Sequence, residues 1–322
     1  MKPFRSFLVA ACAAACVSAF GPVSDASAFF SVSINQFAEH PALDEIVRGF
    51  REQLEELGIE VYFSEHNAKA DIAAIGPIVD LIIGEKPDLV LAVATPSAQE
   101  TAKRVKDVPV LFAGVTDPLD AGIVASLSKP GANVTGTMDL NPVAAQLELI
   151  KEIQPSAGKI GIVYNPNESN SVVQMNLARK AAAASGLSLV EAMATDAEGV
   201  AAAARSLAGK ADAIFLPADS TVVSAMDAVV GVSLDRKIPL YPANDDSLRK
   251  GGVACLSISN YQLGRLTGRM AGKILVDGAE PGLLPVEEQT ELSLTVNTAF
   301  ADRIGLEIPA SVLSRADETL SQ

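Results

Sequence analysis

The sequence predicts an α/β protein built from two doubly wound lobes, and three observations lead there. The chain has 322 residues, more than a single hydrophobic core usually sustains. Strand-like and helix-like segments alternate from residue 31 almost to the end, the order that builds parallel sheets with helices on both faces. The two halves also echo each other. Pro87-Asp88-Leu89-Val90-Leu91-Ala92-Val93-Ala94-Thr95-Pro96-Ser97 has the pattern of Ala211-Asp212-Ala213-Ile214-Phe215-Leu216-Pro217-Ala218-Asp219-Ser220-Thr221.

In the first half a strand at 31–37 precedes a helix at 42–57. There Leu43, Ile46, Val47, Phe50, Leu54 and Leu57 recur at helical spacing, and Gly58 ends the run. A strand at 59–63, a helix at 72–83, a strand at 88–94 and a helix at 96–105 follow. A strand at 108–115 and a short helix near 121–127 complete this half. The runs 89–93 and 108–112 do not alternate apolar with polar residues, so both faces of these strands are buried, as in a helix-covered parallel sheet. Composition agrees: hydrophobic residues make up 49% of the chain and aromatics only 5%, with no Trp. The apolar mass is therefore Ala, Val, Ile and Leu.

After residue 138 a second series begins, with a helix at 143–153, a strand at 159–164 and a helix at 171–184. A strand at 188–192, a helix at 197–207, a strand at 212–216 and a helix at 221–234 continue it. Strands at 238–242 and 252–257 and a long helix at 263–276 come next, and the tail from 285 holds one or two strands and a short helix. No low-complexity tract or long linker parts the halves, so the lobes are expected to be closely coupled.

The first 28 residues read as a secretory signal. Lys2 and Arg5 precede an uncharged run of 14 residues from Phe7 to Phe20, and Ala26-Ser27-Ala28 supplies small residues for cleavage. That run is short of the ~20 residues a spanning helix needs. Val9-Ala10-Ala11-Cys12 has the outline of a lipidation signal, but the apolar stretch before Cys12 is too brief. The mature chain then keeps one cysteine, Cys255, which cannot form an intramolecular disulfide and suits a small core position. The formal charge of −14 disfavours nucleic acid and anionic lipid as partners.

Ligands of open α/β sheets sit beyond the carboxyl ends of the strands. The residues there are Gln36 and His40; Thr95, Pro96 and Ser97; Thr116 and Asp117; Asn165, Glu168, Ser169, Asn170 and Ser171; Asp219, Ser220 and Thr221; and Asn244, Asp246 and Ser247. Ser, Thr, Asn and carboxylates at helix starts also serve as caps. Together they would ring an interlobe cleft suited to a zwitterion. Thr95, Ser97 and Thr116 beside helix N-termini would take a carboxylate. Asp246, helped by Asp219 or Glu168, would take an ammonium group, and Asn165, Asn170 and Ser171 would line the second lobe.

Nothing points to catalysis. The chain has two histidines, His40 and His66, and no cluster of metal-ligand spacing. It has no G-x-x-x-x-G-K-[ST] loop, no G-x-S-x-G elbow and no G-x-G-x-x-G after a strand. His66 is expected in a solvated loop. No cofactor is implied. A doubly wound enzyme would need a nucleophile–base pair that these residues do not assemble.

Several segments carry a family resemblance. They are Glu39-His40-Pro41-Ala42-Leu43-Asp44, Ala94-Thr95-Pro96-Ser97-Ala98-Gln99, Val115-Thr116-Asp117-Pro118 and Pro130-Gly131-Ala132-Asn133-Val134-Thr135-Gly136. Tyr164-Asn165-Pro166-Asn167-Glu168-Ser169-Asn170-Ser171, Tyr261-Gln262-Leu263-Gly264-Arg265 and Gly305-Leu306-Glu307-Ile308-Pro309 complete the set. In their order and spacing the chain resembles ABC-transporter substrate-binding proteins of the tryptophan/tyrosine-binding type, which have the type I periplasmic-binding-protein fold. The resemblance implies two Rossmann-like lobes joined by three crossovers, with lobe 1 at 29–137 plus 258–288 and lobe 2 at 138–257 plus 289–322. It also implies a monomeric periplasmic protein that carries a small-molecule ligand, an amino acid or a similar solute, to an ABC permease in the membrane. A receptor component feeding a membrane sensor is the alternative role. Phe37, Phe112, Tyr164, Tyr241 and Tyr261 are the aromatic residues available to stack on a ligand.

Overall fold

The computed structural model describes residues 29–321; the expected signal segment, 1–28, lies outside the described residues. The chain opens with β1 (Phe30–Gln36), α1 (Pro41–Glu56), β2 (Val61–Asn67), α2 (Ile72–Glu85) and β3 (Leu89–Val93). It continues with α3 (Thr95–Arg104), β4 (Val110–Val115) and β5 (Val134–Met138). The start of α1 is set by Pro41, whose missing N–H costs nothing at the first helical position. Its apolar stripe, including Leu43, Ile46, Phe50 and Leu54, is buried. All residues of β3 and β4 are buried, as their unbroken apolar runs predict.

The second lobe follows as α4 (Val143–Ile153), β6 (Lys159–Tyr164), α5 (Ser169–Ala184), β7 (Ser188–Met193) and α6 (Ala197–Ser206). Then come β8 (Ala213–Leu216), α7 (Ser220–Ser224), α8 (Met226–Arg236), β9 (Leu240–Pro242), α9 (Asp245–Lys250) and β10 (Ala254–Ile258). The chain returns to the first lobe with α10 (Asn260–Leu275) and β11 (Glu287–Glu288). It ends in the second lobe with β12 (Leu292–Asn297), α11 (Thr298–Ile304), α12 (Ala310–Leu313) and β13 (Glu318–Leu320).

The first sheet runs β11-β5-β4-β3-β1-β2 and is parallel throughout. The second runs β7-β6-β8-β9, also parallel. Beside it, β10, β12 and β13 form a three-stranded sheet, docked where the Val253 N–H donates to the Leu240 carbonyl at 2.7 Å. Strands β2-β1-β3-β4 and β7-β6-β8-β9 share one order, which is the physical content of the internal echo in the sequence. The chain passes between the lobes three times, after β5, after β10 and after β11. Each lobe has its own apolar core. Cys255 is buried and free.

Three local expectations differ. Residues 121–127 form turns instead of a helix. Asp117 there accepts from the N–H groups of Leu119 and Asp120, both at 3.0 Å, and Gly122 takes a φ of +68° that no helix continues. The helix expected at 221–234 is two, α7 and α8, separated at Ala225. Ser224 Oγ donates to the Thr221 carbonyl at 2.7 Å, a side-chain bond that competes with helix continuation. His66 lies on β2, not in a loop, with Nε2 2.9 Å from Glu85 Oε1.

Helix α10 packs along α1 with almost no side chain between them. A methyl group at Gly264 would overlap the Ile46 carbonyl oxygen, one at Gly49 the Tyr261 carbonyl, and one at Gly268 would sit 2.7 Å from Gln53 Cβ. Here glycine is required by proximity, not by φ. Gly264→Ala should therefore lower stability by about 1–3 kcal/mol through overpacking. Gly272→Ala, which meets only the Leu57 and Ile59 side-chain ends, should cost clearly less. Urea denaturation midpoints of the two variants check the difference.

Candidate functional site

The carboxyl ends of the two parallel sheets face each other across a cleft. From the first lobe come His40, Ala42, Leu43 and Ile46 of α1 and its cap, Ala94 and Thr95 after β3, and Gly114 and Thr116 of β4 and its exit. Asp139 and Asn141 stand on the first crossover, Ile258 and Asn260 on the second. The second lobe contributes Asn170, Ala218, Asp219, Ser220, Val223 and Asn244.

Of the residues expected from sequence, His40, Thr95, Thr116, Asn170, Asp219, Ser220 and Asn244 line this cleft. Others are buried behind it. Gln36 donates to Asp44 Oδ1 at 2.8 Å and to the Ala38 carbonyl at 2.7 Å. Ser97 Oγ is 3.3 Å from Asn35 Oδ1. Asn165, Glu168 and Ser171 belong to a network that shapes the second-lobe wall.

In that network two carboxylates exchange helices. Glu168, which precedes α5, accepts from the N–H groups of Ser220 and Thr221 at 3.2 and 3.0 Å and from Thr221 Oγ1 at 2.6 Å. Asp219, the cap of α7, accepts from Val222 N at 2.8 Å and reaches back to Asn165 N at 2.5 Å and Ser171 Oγ at 2.7 Å. The loops after β6 and β8 are thereby tied into one unit that presents Asn170 and Ser220. Burial, reinforced by the Glu168 charge, pushes the Asp219 carboxyl well above the ordinary carboxylate range.

Seven more of the expected residues do not line the cleft. Asp246, given the ammonium role, is not among the cleft-lining residues: its Oδ2 accepts from Asn260 Nδ2 at 2.8 Å. Asp117 is used by its own turn. Phe37 is fully buried in the first core. Tyr164 points its hydroxyl to Glu191 at 3.0 Å, where Arg179 also binds. Phe112 is likewise core, Tyr241 donates to Gln154 at 2.8 Å, and Tyr261 donates to Glu52 at 2.6 Å beneath Arg48. Among the described residues no Phe or Tyr lines the cleft.

Residues outside the expected set complete the site. Asp139 directly follows β5, by the same strand-exit logic that selected the others. Its Oδ1 accepts from Thr116 Oγ1 at 3.2 Å, and burial raises its carboxyl to about 6. Ala94 joins β3 to α3 at φ +77°, ψ 155°, a conformation that strains any residue but glycine. It sets Thr95, the first residue of α3, in the cleft wall. Gly114 has a φ of +65°, and a methyl group there would meet Ile46 Cδ1 at 2.9 Å.

Several groups in the cleft have no partner within the protein. The buried atoms His40 Nδ1 and Nε2, Thr95 Oγ1, Asn141 Oδ1 and Asn170 Oδ1 make no hydrogen bond, a costly condition for buried polar atoms. Among the described residues no Lys or Arg lines the cleft and no cluster is suited to a metal ion.

Comparison with known proteins gives a consistent set. The model of the family described as "ABC transporter substrate binding protein" matches residues 31–320. A tyrosine-binding protein of Clostridioides difficile (strain R20291) is 35% identical over 271 residues, 83% of this chain and 78% of that one. The crystal structure of an ABC domain in complex with L-Trp from Streptococcus pneumonia is 34% identical. It superposes with a TM-score of 0.86, over 90% of this chain and 100% of that one. The ligand-free, open structure of a substrate-binding protein with adhesive properties from Clostridium difficile is 35% identical over 91% of this chain and 100% of that one. It superposes with a TM-score of only 0.67. At matched identity, the arrangement of this chain is nearer the ligand complex than the open form.

Asp219→Ala should destabilise the protein by about 1–3 kcal/mol, the cost of leaving buried donors unsatisfied, because Ser171 and the Asn165 N–H lose their acceptor. Chemical denaturation of the variant checks this. An unchanged midpoint would mean that the second-lobe wall is not held by the exchanged carboxylates.

Proposed function

The chain belongs to the ABC transporter substrate-binding protein family, and we propose that its cleft closes on an α-amino acid held as a zwitterion. The observation that carries this reading is the set of buried, unpartnered polar atoms, divided between donors and acceptors. On the first-lobe side, the Thr95 hydroxyl and the first turn of α3 offer donors, with Ser220 opposite; these suit a carboxylate. At the first crossover, Asp139 and Asn141 Oδ1 offer acceptors. Asn141 Nδ2 donates to the Asp139 carbonyl at 3.3 Å, which orients its oxygen. Asn170 Nδ2 donates to the Ala218 carbonyl at 2.9 Å and leaves its oxygen as a further acceptor. Acceptors beside a carboxylate suit an ammonium group. With no Lys or Arg in the lining, an anion without an ammonium group has nothing to neutralise it.

Relatives named for tyrosine binding and crystallised with L-Trp support an amino acid as the ligand class. The fit to the ligand complex supports a closing motion about the three crossovers, and lobes at 29–137 plus 258–288 and 138–257 plus 289–322 are the proposed moving bodies. The remaining proposals follow the family. The protein acts as a monomer outside the cytoplasm after cleavage near Ala28, performs no catalysis, binds no nucleic acid, and hands its ligand to an ABC permease. No helix among the described residues is long and apolar enough to cross a membrane.

Asp139 makes the reading testable through pH. In the free protein its carboxyl is raised to about 6, so below that pH it carries a proton and is neutral. An ammonium ligand needs the ionised form, so affinity present at pH 7.5 should fall by about tenfold per unit below pH 6. Asp139→Asn should weaken amino-acid binding at pH 7.5 by about 2–5 kcal/mol and flatten the pH profile. Isothermal titration between pH 5 and 8 measures both. Unchanged affinity in the variant would remove Asp139 from the site.

N-terminal sequencing of the exported protein should return Phe29 as the first residue. An intact Met1 would contradict cleavage.

A further inference from the structure

The amino-acid reading employs Thr95, Asn141 and Asn170 and leaves His40 unused, although His40 is the most isolated polar side chain in the cleft. It is 5% exposed, and neither ring nitrogen has a partner. The ring is not there to cap α1. The side chain makes no cap bond, and the backbone carbonyl of His40 serves the helix instead, accepting from Leu43 N at 3.0 Å and Asp44 N at 3.1 Å. Nor are its polar neighbours free to pair with it, since Gln36 is committed to Asp44 and to the Ala38 carbonyl. Burial and the Lys250 charge hold the imidazolium form down, to a pKa of about 3, so the ring is neutral and offers one N–H and one lone pair.

Its place along the cleft gives that pair a meaning. His40 follows β1, Thr95 follows β3, Thr116 follows β4 and Asp139 follows β5, strands adjacent in that order. His40 therefore stands at the opposite end of the row from the proposed ammonium site. Thr95 and Thr116 stand between them in that row, and the cleft also carries the aliphatic side chains Leu43, Ile46, Val223 and Ile258, with Leu43 and Ile46 close to Gly114 and Asp139. A side chain reaching from the Asp139 end to the imidazole runs past Leu43 and Ile46.

We propose that His40 is a specificity-determining residue that reads a neutral hydrogen-bonding group, a hydroxyl or a carboxamide, at the tip of the ligand's side chain. The ligand class is then an amino acid with an apolar body and a neutral polar tip. This rests on the amino-acid reading above. Charged tips fit poorly. An ammonium tip leaves the imidazole N–H unmatched, and a carboxylate tip, which only accepts, leaves the imidazole lone pair unmatched. A site built to bond such a tip rejects the ligand that lacks it, because the buried partner is then left unpaired.

The test is isothermal titration of refolded, ligand-stripped protein with isosteric pairs: L-tyrosine against L-phenylalanine, L-threonine against L-valine, and L-glutamine against L-methionine. In the pair that binds best, the polar-tipped member should bind at least about tenfold tighter. His40→Leu should bring that ratio within about twofold while still binding the apolar member, and His40→Gln, which keeps a hydrogen-bonding tip, should restore part of it. Equal affinities within every binding pair in the unmutated protein would overturn the proposal, whatever the variants do, as would an unchanged ratio in His40→Leu. Binding by no amino acid at all would overturn the zwitterion reading and this inference with it.

Discussion

The contact between α1 and α10 is the constraint on which the rest of the structure depends. Helix α10 begins at the second crossover, immediately after Ile258, and its glycines let it lie directly on the backbone of α1. Helix α1 and its cap in turn supply His40, Ala42, Leu43 and Ile46 to the cleft. The segment that joins the lobes and the wall that faces the ligand are thus parts of one rigid pair. A side chain wedged at Gly264 would displace the Ile46 carbonyl and, with it, the lining. The Thr137 and Thr267 hydroxyls, 2.8 Å apart in the interior, secure the same helix to β5, whose exit carries Asp139. Hinge, floor and wall are therefore mechanically continuous.

The opposite wall is organised by charge instead of close packing. Glu168 and Asp219 are both buried, yet they are satisfied mainly by backbone N–H groups and hydroxyls of helix starts, not by a cation. This arrangement favours rigidity over stability, since two nearby carboxyls in the interior repel. It leaves the cleft, among the described residues, with carboxyl groups, carboxamides, hydroxyls and a neutral imidazole, and with no Lys or Arg. Such a site can hold opposite charges at two points while remaining free of mobile basic side chains, and that is the basis of the zwitterion reading.

Much of this was legible in the amino-acid order. The unbroken apolar runs of β3 and β4 and the repeated strand–Thr/Asp–Ser–helix pattern specified parallel sheets with similar strand order, because burial on both faces leaves no other pattern. Residues at strand exits were legible for the same reason, which is how His40, Thr95, Asn170 and Asp219 were found. Asp139 obeys the same rule and lies one residue beyond β5, but its apolar surroundings come from Ile46, Leu43 and Gly114, which are distant in the chain. Asp246 looked equivalent to it. Only the packing of α9 against the start of α10 decides that Asp246 holds Asn260 and stays outside the cleft. The withdrawal of every candidate aromatic from the cleft is likewise a tertiary outcome. The turns at 121–127 and the break between α7 and α8 come instead from local bonds of Asp117 and Ser224, which helical spacing alone does not show.

The central claim is that one ligand satisfies both the donor set at Thr95 and α3 and the acceptor set at Asp139 and Asn141. It is tested most directly by calorimetric titration of the ligand-stripped protein at pH 7.5. The ligand would be the amino acid that raises its melting temperature most, set beside the N-acetyl and α-amide derivatives of that amino acid. Each derivative removes one of the two charges and should lose at least about 2 kcal/mol of binding, the lower bound for truncating a buried charge pair. A derivative that binds as tightly as the free amino acid would show that the corresponding end of the cleft does not hold the charge assigned to it.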